Sequence, residues 1–285
     1  MIKTIELSKD QDQITLTYYD GKIRTFFASS DINTSIVFCK ELFKIADQTS
    51  QTFQTVVEVA GEFARQGLNA QKTAEATHAA LVLVRLAGID AEAAVSALTA
   101  AVNNYKGLTY IEIVNRMANV DAAFAVSFQD LFEGLKRAGS SAKDSKVSLN
   151  ELQALITALQ QTTARGGLVI GNGLKTIFTR LQRSSTLDLL ERLNVAVKNT
   201  SGEMLPAVQI LENLAKSYGS LTQEQQSQVA QTVAGVFQIN TLKAALNDLG
   251  GEASIYKQAL KVANNTTNEA VQRNNQLNET LSTFI

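Results

Sequence analysis

Few side chains in this chain have the types that metal binding or acid–base catalysis requires. His78 is the only histidine and Cys39 is the only cysteine. A metal site built from several histidines, a CxxC motif and an intrachain disulfide are therefore excluded, and His78 is the only base for a Ser–His or Cys–His pair. We interpret His78 as a satisfied or surface histidine within a helix, and Cys39 as a small buried apolar residue. The sequence predicts no metal and no cofactor.

Glutamates could still supply chemistry, because a carboxylic acid alone can protonate the leaving group in glycoside hydrolysis. The candidates are Glu133, Glu151, Glu191 and Glu203. Each lies in an ordinary helix-cap or surface context, and no cluster of aromatic residues that could bind a sugar surrounds them in the sequence. We predict that the protein is not an enzyme.

The glycine-rich stretch Arg165–Gly173 superficially resembles a loop that cradles phosphate. It lacks GxGxxG spacing, no predicted strand precedes it, and Leu174 stands where a Walker motif has Lys. We predict instead that one helix ends at Gly166–Gly167 and that Asn172 caps the next helix.

Basic residues are concentrated between residues 136 and 183, where eight cations are opposed only by Asp144 and Glu151, a local net charge of +6. Gathered on one surface, they could bind DNA with an affinity that falls steeply with salt. The alternative is a solvated or internally paired face. The eight residues are Lys136, Arg137, Lys143, Lys146, Arg165, Lys175, Arg180 and Arg183.

The elements that must carry these residues are predicted to be helices. The chain has 285 residues, a net charge of −1 and a single Pro, and it is rich in Ala. Such a sequence can form long helical stretches, because almost nothing removes their amide donors. No apolar run approaches the roughly 20 residues that span a bilayer, and the first residues lack the apolar core of a secretory signal. We expect synthesis in a reducing cytosol.

Residues 1–28 have a strand pattern. Two β-rich runs flank Asp20-Gly21, which is a strong hairpin signal, and Ile2–Leu7 can add a third strand. A two-residue turn would pair Tyr18 with Ile23, Leu16 with Thr25, and Ile14 with Phe27. We predict a small β-meander that is too small to be stable alone.

From Ser30 onward, start and stop signals divide the chain into many short helices. The motif of a hydroxyl followed three residues later by an acid or Gln predicts helix starts at Thr109, Ser127, Ser148, Ser185 and Thr222. Predicted stops lie at Gly67, Gly88, Gly139 and Gly219. The predicted helices cover about residues 31–48, 51–66, 70–87, 91–105, 110–118, 121–138, 149–164, 172–183, 186–193, 206–218, 223–236, 239–248 and 252–283. Residues 195–205 are predicted to form a short hairpin or an ordered loop.

The predicted fold class is all-α, with the β-meander at residues 1–28, a compact multi-helix domain at 29–250 and a long polar helix at 251–285. The last helix begins a rod or coiled coil, and its thin apolar seam needs a partner. We therefore expect self-association through Ile255, Ala259, Ala263, Ala270, Leu277 and Leu281. Because this helix has no cap at Ile285, we also expect a longer molecule.

Four groups of segments, in order over roughly residues 55–283, carry a family resemblance. The most distinctive group is Glu151–Gly167, Ile170–Asn172 and Leu174–Arg183. The others are Phe63–Thr77 with Arg85–Ile89 and Ala97–Asn103, Val120–Ser127 with Leu135–Ser141, and Val233–Asn240 with Asn268–Asn278. Together they resemble the conserved domain of bacteriophage tail tape measure proteins.

This resemblance implies a structural virion component in the lumen of the tail tube. It would help to set tube length during assembly in the host cytoplasm, and it would be released when DNA is ejected. The implied partners are further copies of itself, tube and tail-tip proteins, tail assembly chaperones, and DNA or an acidic lumen for the basic residues. A host membrane is expected only through regions that this chain does not contain.

One unbroken helix of this length would reach about 430 Å at about 1.5 Å per residue. Since the predicted helices are short, we expect one domain of such a protein.

Two alternatives to this role stay open. One is a tail enzyme that cleaves peptidoglycan with one of the glutamates named above. The other is a helical adaptor module unrelated to phage, suggested by the Ala/Gln/Thr-rich composition. An adaptor of that kind would need sustained heptads, which are absent before residue 255.

Overall fold

The computed structural model describes residues 2–7, 13–18, 23–27, 32–265 and 267–283, and this part of the chain is mostly helical. The all-α fold class is confirmed. Within those ranges there are fourteen α-helices. In chain order they are α1 Ile32–Thr49, α2 Phe53–Arg65, α3 Ala70–Ala87, α4 Ala91–Asn104, α5 Tyr110–Ala123, α6 Phe128–Asp144, α7 Leu149–Thr163, α8 Gly167–Leu181, α9 Ser184–Arg192, α10 Ala207–Tyr218, α11 Gln223–Ala234, α12 Ile239–Gly250, α13 Ile255–Ala263 and α14 Glu269–Thr283.

A small antiparallel sheet precedes the helices, with strand order β1 (Ile2–Leu7), β2 (Gln13–Tyr18) and β3 (Ile23–Phe27). The predicted hairpin register is wrong by one residue, because Thr17 pairs with Ile23 and Ile14 pairs with Phe26. An odd number of residues separates the partners in each pair, whereas the predicted register separates them by an even number. The predicted turn residues Asp20 and Gly21 themselves lie outside the described residues.

Helix capping explains why many helices begin where the sequence predicts. Reciprocal capping boxes form at Thr109, Ser148 and Thr222, as predicted. Ser127 also caps a helix, as its motif predicts. The predicted range 121–138 is wrong, because this helix begins at Phe128 and continues through Gly139 to Asp144. Ser185 is not a cap, because α9 already begins at Ser184.

The predicted boundary at Gly166–Asn172 is also wrong. The helix α7 ends with Ala164 in the left-handed conformation (φ 50°), and α8 begins at Gly167, so Asn172 lies inside α8. The Gly167 amide is satisfied by another helix, since it donates to Asp130 Oδ1 at 2.8 Å. Tertiary contacts therefore replace the local cap that the sequence suggested.

Residues 195–205 form the short hairpin-like loop that the sequence predicts. Lys198 and Met204 make an antiparallel bridge. Asn199 Oδ1 accepts hydrogen bonds from the amides of Ser201 and Glu203 at 3.0 and 2.9 Å.

The predicted single helix at 252–283 is two helices, α13 and α14. Asn119 of α5 contacts the chain between them: its Nδ2 donates to the Asn265 carbonyl at 2.7 Å, and its Oδ1 accepts from Thr267 Oγ1 at 2.5 Å. Asn150 Nδ2 also donates to Asn264 Oδ1 at 2.6 Å. These interhelix bonds stabilise a break that no Gly or Pro marks in the sequence.

The chain divides into two compact units. Unit 1 contains Met1–Ser96 and Ala270–Ile285, and unit 2 contains Ala97–Glu269. These units do not coincide with the predicted segments 1–28, 29–250 and 251–285, whose status as separate domains stays a prediction. In unit 1, α3 packs on α1 and α2 around the buried Phe63; in unit 2, α6 packs along α8, and α13 along α7.

Candidate functional site

Most of the predicted basic residues lie on α6 and α8, which approach each other closely. A Cβ built on Gly171 would lie 2.9 Å from Gly134 Cα and 2.8 Å from Arg137 Cβ. Only glycine therefore fits at this crossing, and Arg137 lies directly over it. Lys175 follows Gly171 by one helical turn, so Arg137 and Lys175 belong to the same part of the surface.

Six of the eight predicted basic residues are exposed, and within the described part of the chain their side chains have no ion pair or hydrogen bond. These six, which we call the cationic surface, are Lys136, Arg137, Lys143, Arg165, Lys175 and Arg183. All of them belong to unit 2. The internally paired alternative does not describe these six side chains.

The other two basic residues stabilise the fold. Lys146 Nζ donates to the Met204 carbonyl at 3.0 Å. Arg180 is half-buried, donates from Nη1 to the Thr232 carbonyl at 3.3 Å, and lies over Gly235. The sequence could not separate these two from the rest, because their acceptors are backbone carbonyls far along the chain.

The predicted self-association seam is wrong at three of its residues. Ala259, Ala263 and Ala270 are completely buried within the chain's own fold, so a second copy cannot reach them. For Ala259 and Ala263 the cause is the end of α13 at Ala263, after which the chain no longer continues as one helix, so that α13 packs on α7 and α5. Ile255 is half-buried and Leu277 is 41% exposed, while the side chain of Leu281 lies outside the described residues.

Burial shifts the pKa of both His78 and Cys39, the histidine and the thiol considered for catalysis. Burial lowers the pKa of His78 on α3, an effect that Glu41 opposes and Lys44 reinforces. Burial raises the pKa of the Cys39 thiol, so the thiolate that would act as a nucleophile is disfavoured. Among the described residues, no group of three or more His, Cys, Asp or Glu side chains could hold a metal ion.

Three of the four candidate glutamates have structural partners. Glu151 completes the capping box with Ser148, and Glu191 Oε1 lies 2.8 Å from Lys198 Nζ. Glu203 Oε2 accepts from Asn199 Nδ2 at 3.2 Å. Glu133 is half-buried on α6.

Among the helices described, none is both long and apolar enough to cross a membrane.

Sequence reasoning missed an exposed apolar pair in unit 2. Val236 and Phe237 lie in a single 3-10 turn between α11 and α12, and they are 74% and 91% exposed. One signal in the sequence could have identified this pair, since Gly235 is a helix-ending residue immediately before two large apolar residues.

A second missed feature is a cavity of about 630 Å³ in unit 1, between α1 and α3. Its apolar lining includes Val37, Phe38 and Ile45 on α1, and Ala70 and Ala74 on α3. Its polar lining is Glu41, Lys44, Gln48, Gln71, Glu75 and His78. No motif marks it, because it forms from two helices that are separated in the sequence.

Comparison with protein-family models identifies a family to which this chain is similar. The model of the family described as phage-related minor tail protein matches residues 41–235, which is more than half of the chain. No solved structure matches the chain.

Proposed function

This chain belongs to the family of phage-related minor tail proteins, and from that premise we propose that it is a domain of a tape measure protein. The family supports a structural role in the phage tail. Our proposal adds that the domain lies in the lumen of the tail tube, helps to set tube length during assembly, and leaves the tail when DNA is ejected. Tube proteins, tail-tip proteins and assembly chaperones are its proposed partners.

The observation that carries this proposal is the family match over residues 41–235. The ordered resemblance to tape measure proteins, over roughly residues 55–283, supports the finer assignment. The cationic surface is consistent with it, because six exposed cations without ion pairs can face the phosphates of DNA or an acidic lumen.

The proposed place in the tail can be tested on virions of a phage that encodes this chain. We expect antibodies against unit 2 to label disrupted tails but not intact ones, and we expect the chain to be lost from virions whose DNA has been released. An internal in-frame deletion that leaves tails assembled should also shorten them. Labelling on the outside of intact tails, or retention after ejection, would contradict the proposal.

Contact with nucleic acid is a separate part of the proposal and has its own test. We expect the chain to bind duplex DNA weakly, with a log affinity that falls against log salt with a slope of at most about −0.9 per cation engaged. Changing Lys136, Arg137 and Lys175 to Gln should reduce that slope. A matched triple change of Lys44, Lys72 and Lys106, which lie outside the cationic surface, should leave it unchanged.

Nothing in the described geometry favours the peptidoglycan-cleaving alternative, since Glu151, Glu191 and Glu203 hold structural partners. The fold does not support the adaptor alternative either. Its expected sustained heptads would have to lie beyond residue 255, where the structure has a break between two helices.

A further inference from the structure

The exposed pair Val236 and Phe237, which we call the apolar knob, is unusual for a folded surface. Phe237 keeps 91% of its surface in contact with solvent. Single exposed apolar residues are common, but a large aromatic side chain that a partner buries completely can anchor an interface.

The apolar knob is held in place by specific contacts. Gly235 has a φ of 67°, and the Arg180 guanidinium lies 2.9 Å from where its Cβ would be, so only glycine fits there. The Gln238 amide donates to the Gly235 carbonyl at 3.2 Å, and Thr241 Oγ1 donates to Gln238 Oε1 at 3.3 Å. The knob is therefore presented by an ordered turn between two helices, which lowers the entropy lost on binding.

The α1–α3 cavity has the properties that would receive such a knob. Its volume of about 630 Å³ lies within the usual range for sites that bury a ligand. Phe38 and Ile45 supply an apolar lining, and Val37 at its edge is 65% exposed.

Charge also matches between the two features. The Arg180 guanidinium lies against Gly235, at the start of the turn that carries the knob. The cavity lining contains Glu41 and Glu75 against a single Lys44, with which Glu41 is paired at 3.2 Å. Glu75 accepts only from Gln71 among the described residues, so its charge is available to a cation.

We propose that the apolar knob of one copy of this chain docks in the α1–α3 cavity of a second copy. The contact joins two different surfaces of identical chains, so it is heterologous, and each copy can both give a knob and receive one. This inference rests on the two surfaces alone and is independent of the proposed role in tube length.

Sedimentation velocity on the full chain tests this contact. We expect the wild-type chain to associate with increasing concentration, and Phe237→Ser to weaken that association by about 30-fold or more, as for an aromatic anchor. Val37→Lys should weaken it from the cavity side, because it places a cation opposite Arg180. Both positions are exposed, so circular dichroism should show unchanged helix content.

Leu277→Ser is the matched control. Leu277 is also an exposed large apolar residue, at 41%, and it belongs to the seam that the sequence predicted. We expect this change to leave association unaltered. If Leu277→Ser weakens association as much as Phe237→Ser does, the apolar knob is not the contact.

Mixing the two interface variants separates a heterologous contact from any other arrangement. The Phe237→Ser chain keeps an intact cavity, and the Val37→Lys chain keeps an intact knob. Each should be monomeric alone, and an equal mixture should form a complex that stops at one copy of each. A monomeric wild-type chain, undiminished association of Phe237→Ser, or a mixture that stays monomeric would each overturn the proposal.

Discussion

The closest contacts between helices in unit 2 are determined by single residues whose neighbours in the sequence do not indicate this role. Gly167 is the first residue of α8, and its amide donates to Asp130 Oδ1 of α6. A Cβ at Gly167 would overlap the Asp130 carbonyl and lie 2.6 Å from Asp130 Cα, which is backbone and cannot move aside. The carboxylate at the N-terminus of α8 adds a favourable interaction with the helix dipole.

We therefore expect Gly167→Ala to destabilise the chain by about 1–3 kcal/mol or more, since overpacking against backbone outweighs the better helix propensity of Ala. Gly219→Ala is the matched control, because nothing lies within 4 Å of a Cβ there and its φ is −69°. Urea unfolding followed by circular dichroism should show little change, or slight stabilisation, for Gly219→Ala. Equal midpoints for the two variants would show that α6 can move away.

Glu112 provides a pH-dependent contribution at the start of α5. Hydrogen bonds from the backbone and the side chain of Thr109 lower the pKa of Glu112 below its ordinary value of 4.5. A folded-state pKa that is lowered stabilises the folded chain above the ordinary value, and this stabilisation is lost as pH falls through the lowered value.

Accordingly, Glu112→Gln should cost about 0.5 kcal/mol at pH 7, and the difference from wild type should vanish in acid. The measurement is urea unfolding at pH 7 and at a pH well below 4.5. Thr109→Ala removes the cap itself together with the hydroxyl that donates to Glu112, so of its cost of about 1 kcal/mol at pH 7 the part due to the cap should remain in acid. A Glu112→Gln difference that is independent of pH would contradict this account.

At the scale of elements, α14 shows how a polar helix is stabilised by its own unit. Asn274 is completely buried, and its Nδ2 donates to the Gln48 carbonyl near the end of α1 at 2.7 Å. Arg85 Nη1 of α3 donates to Asn274 Oδ1 at 2.8 Å. Asn278, one turn later, repeats both contacts at 2.5 Å. Two asparagines therefore satisfy the Gln48 carbonyl in the last turn of α1, where carbonyls have no partner within the helix.

Replacing Asn274 with Ala should weaken the attachment of α14 by about 1–3 kcal/mol, because Arg85 and the Gln48 carbonyl lose a buried partner. Hydrogen exchange of the α14 amides should become faster, while exchange in α7 stays the same. Asn275→Ala, at the neighbouring exposed position, is the control and should leave protection unchanged. If both variants exchange alike, the asparagine contacts do not hold the helix.

At the scale of the whole molecule, the chain forms unit 1 from two separate segments and unit 2 from one continuous segment. The helix α4 contributes residues to both units, since the division falls at Ser96. Unit 2 contains the cationic surface and the apolar knob, whereas unit 1 contains the α1–α3 cavity.

We expect a fragment of residues 89–269, which keeps α4 intact, to fold alone with one cooperative thermal transition. A fragment of residues 1–96 should be poorly folded, because it lacks the α14 asparagines that pair with Arg85 and Gln48. Circular dichroism melts of the two fragments check this expectation. A cooperative melt of 1–96 equal to that of 89–269 would show that α14 is dispensable for unit 1.

The sequence by itself determined the all-α class, the limits of many helices and the shortage of reactive groups. Thr109, Ser148 and Thr222 mark helix starts because a capping box is a contact within four residues. Only the tertiary structure decided the break after α13, the start of α8 at Gly167, the burial of Ala259 and Ala263, and the exposure of Phe237. Each depends on residues far along the chain, such as Asn119 or Asp130, whose approach no local pattern records.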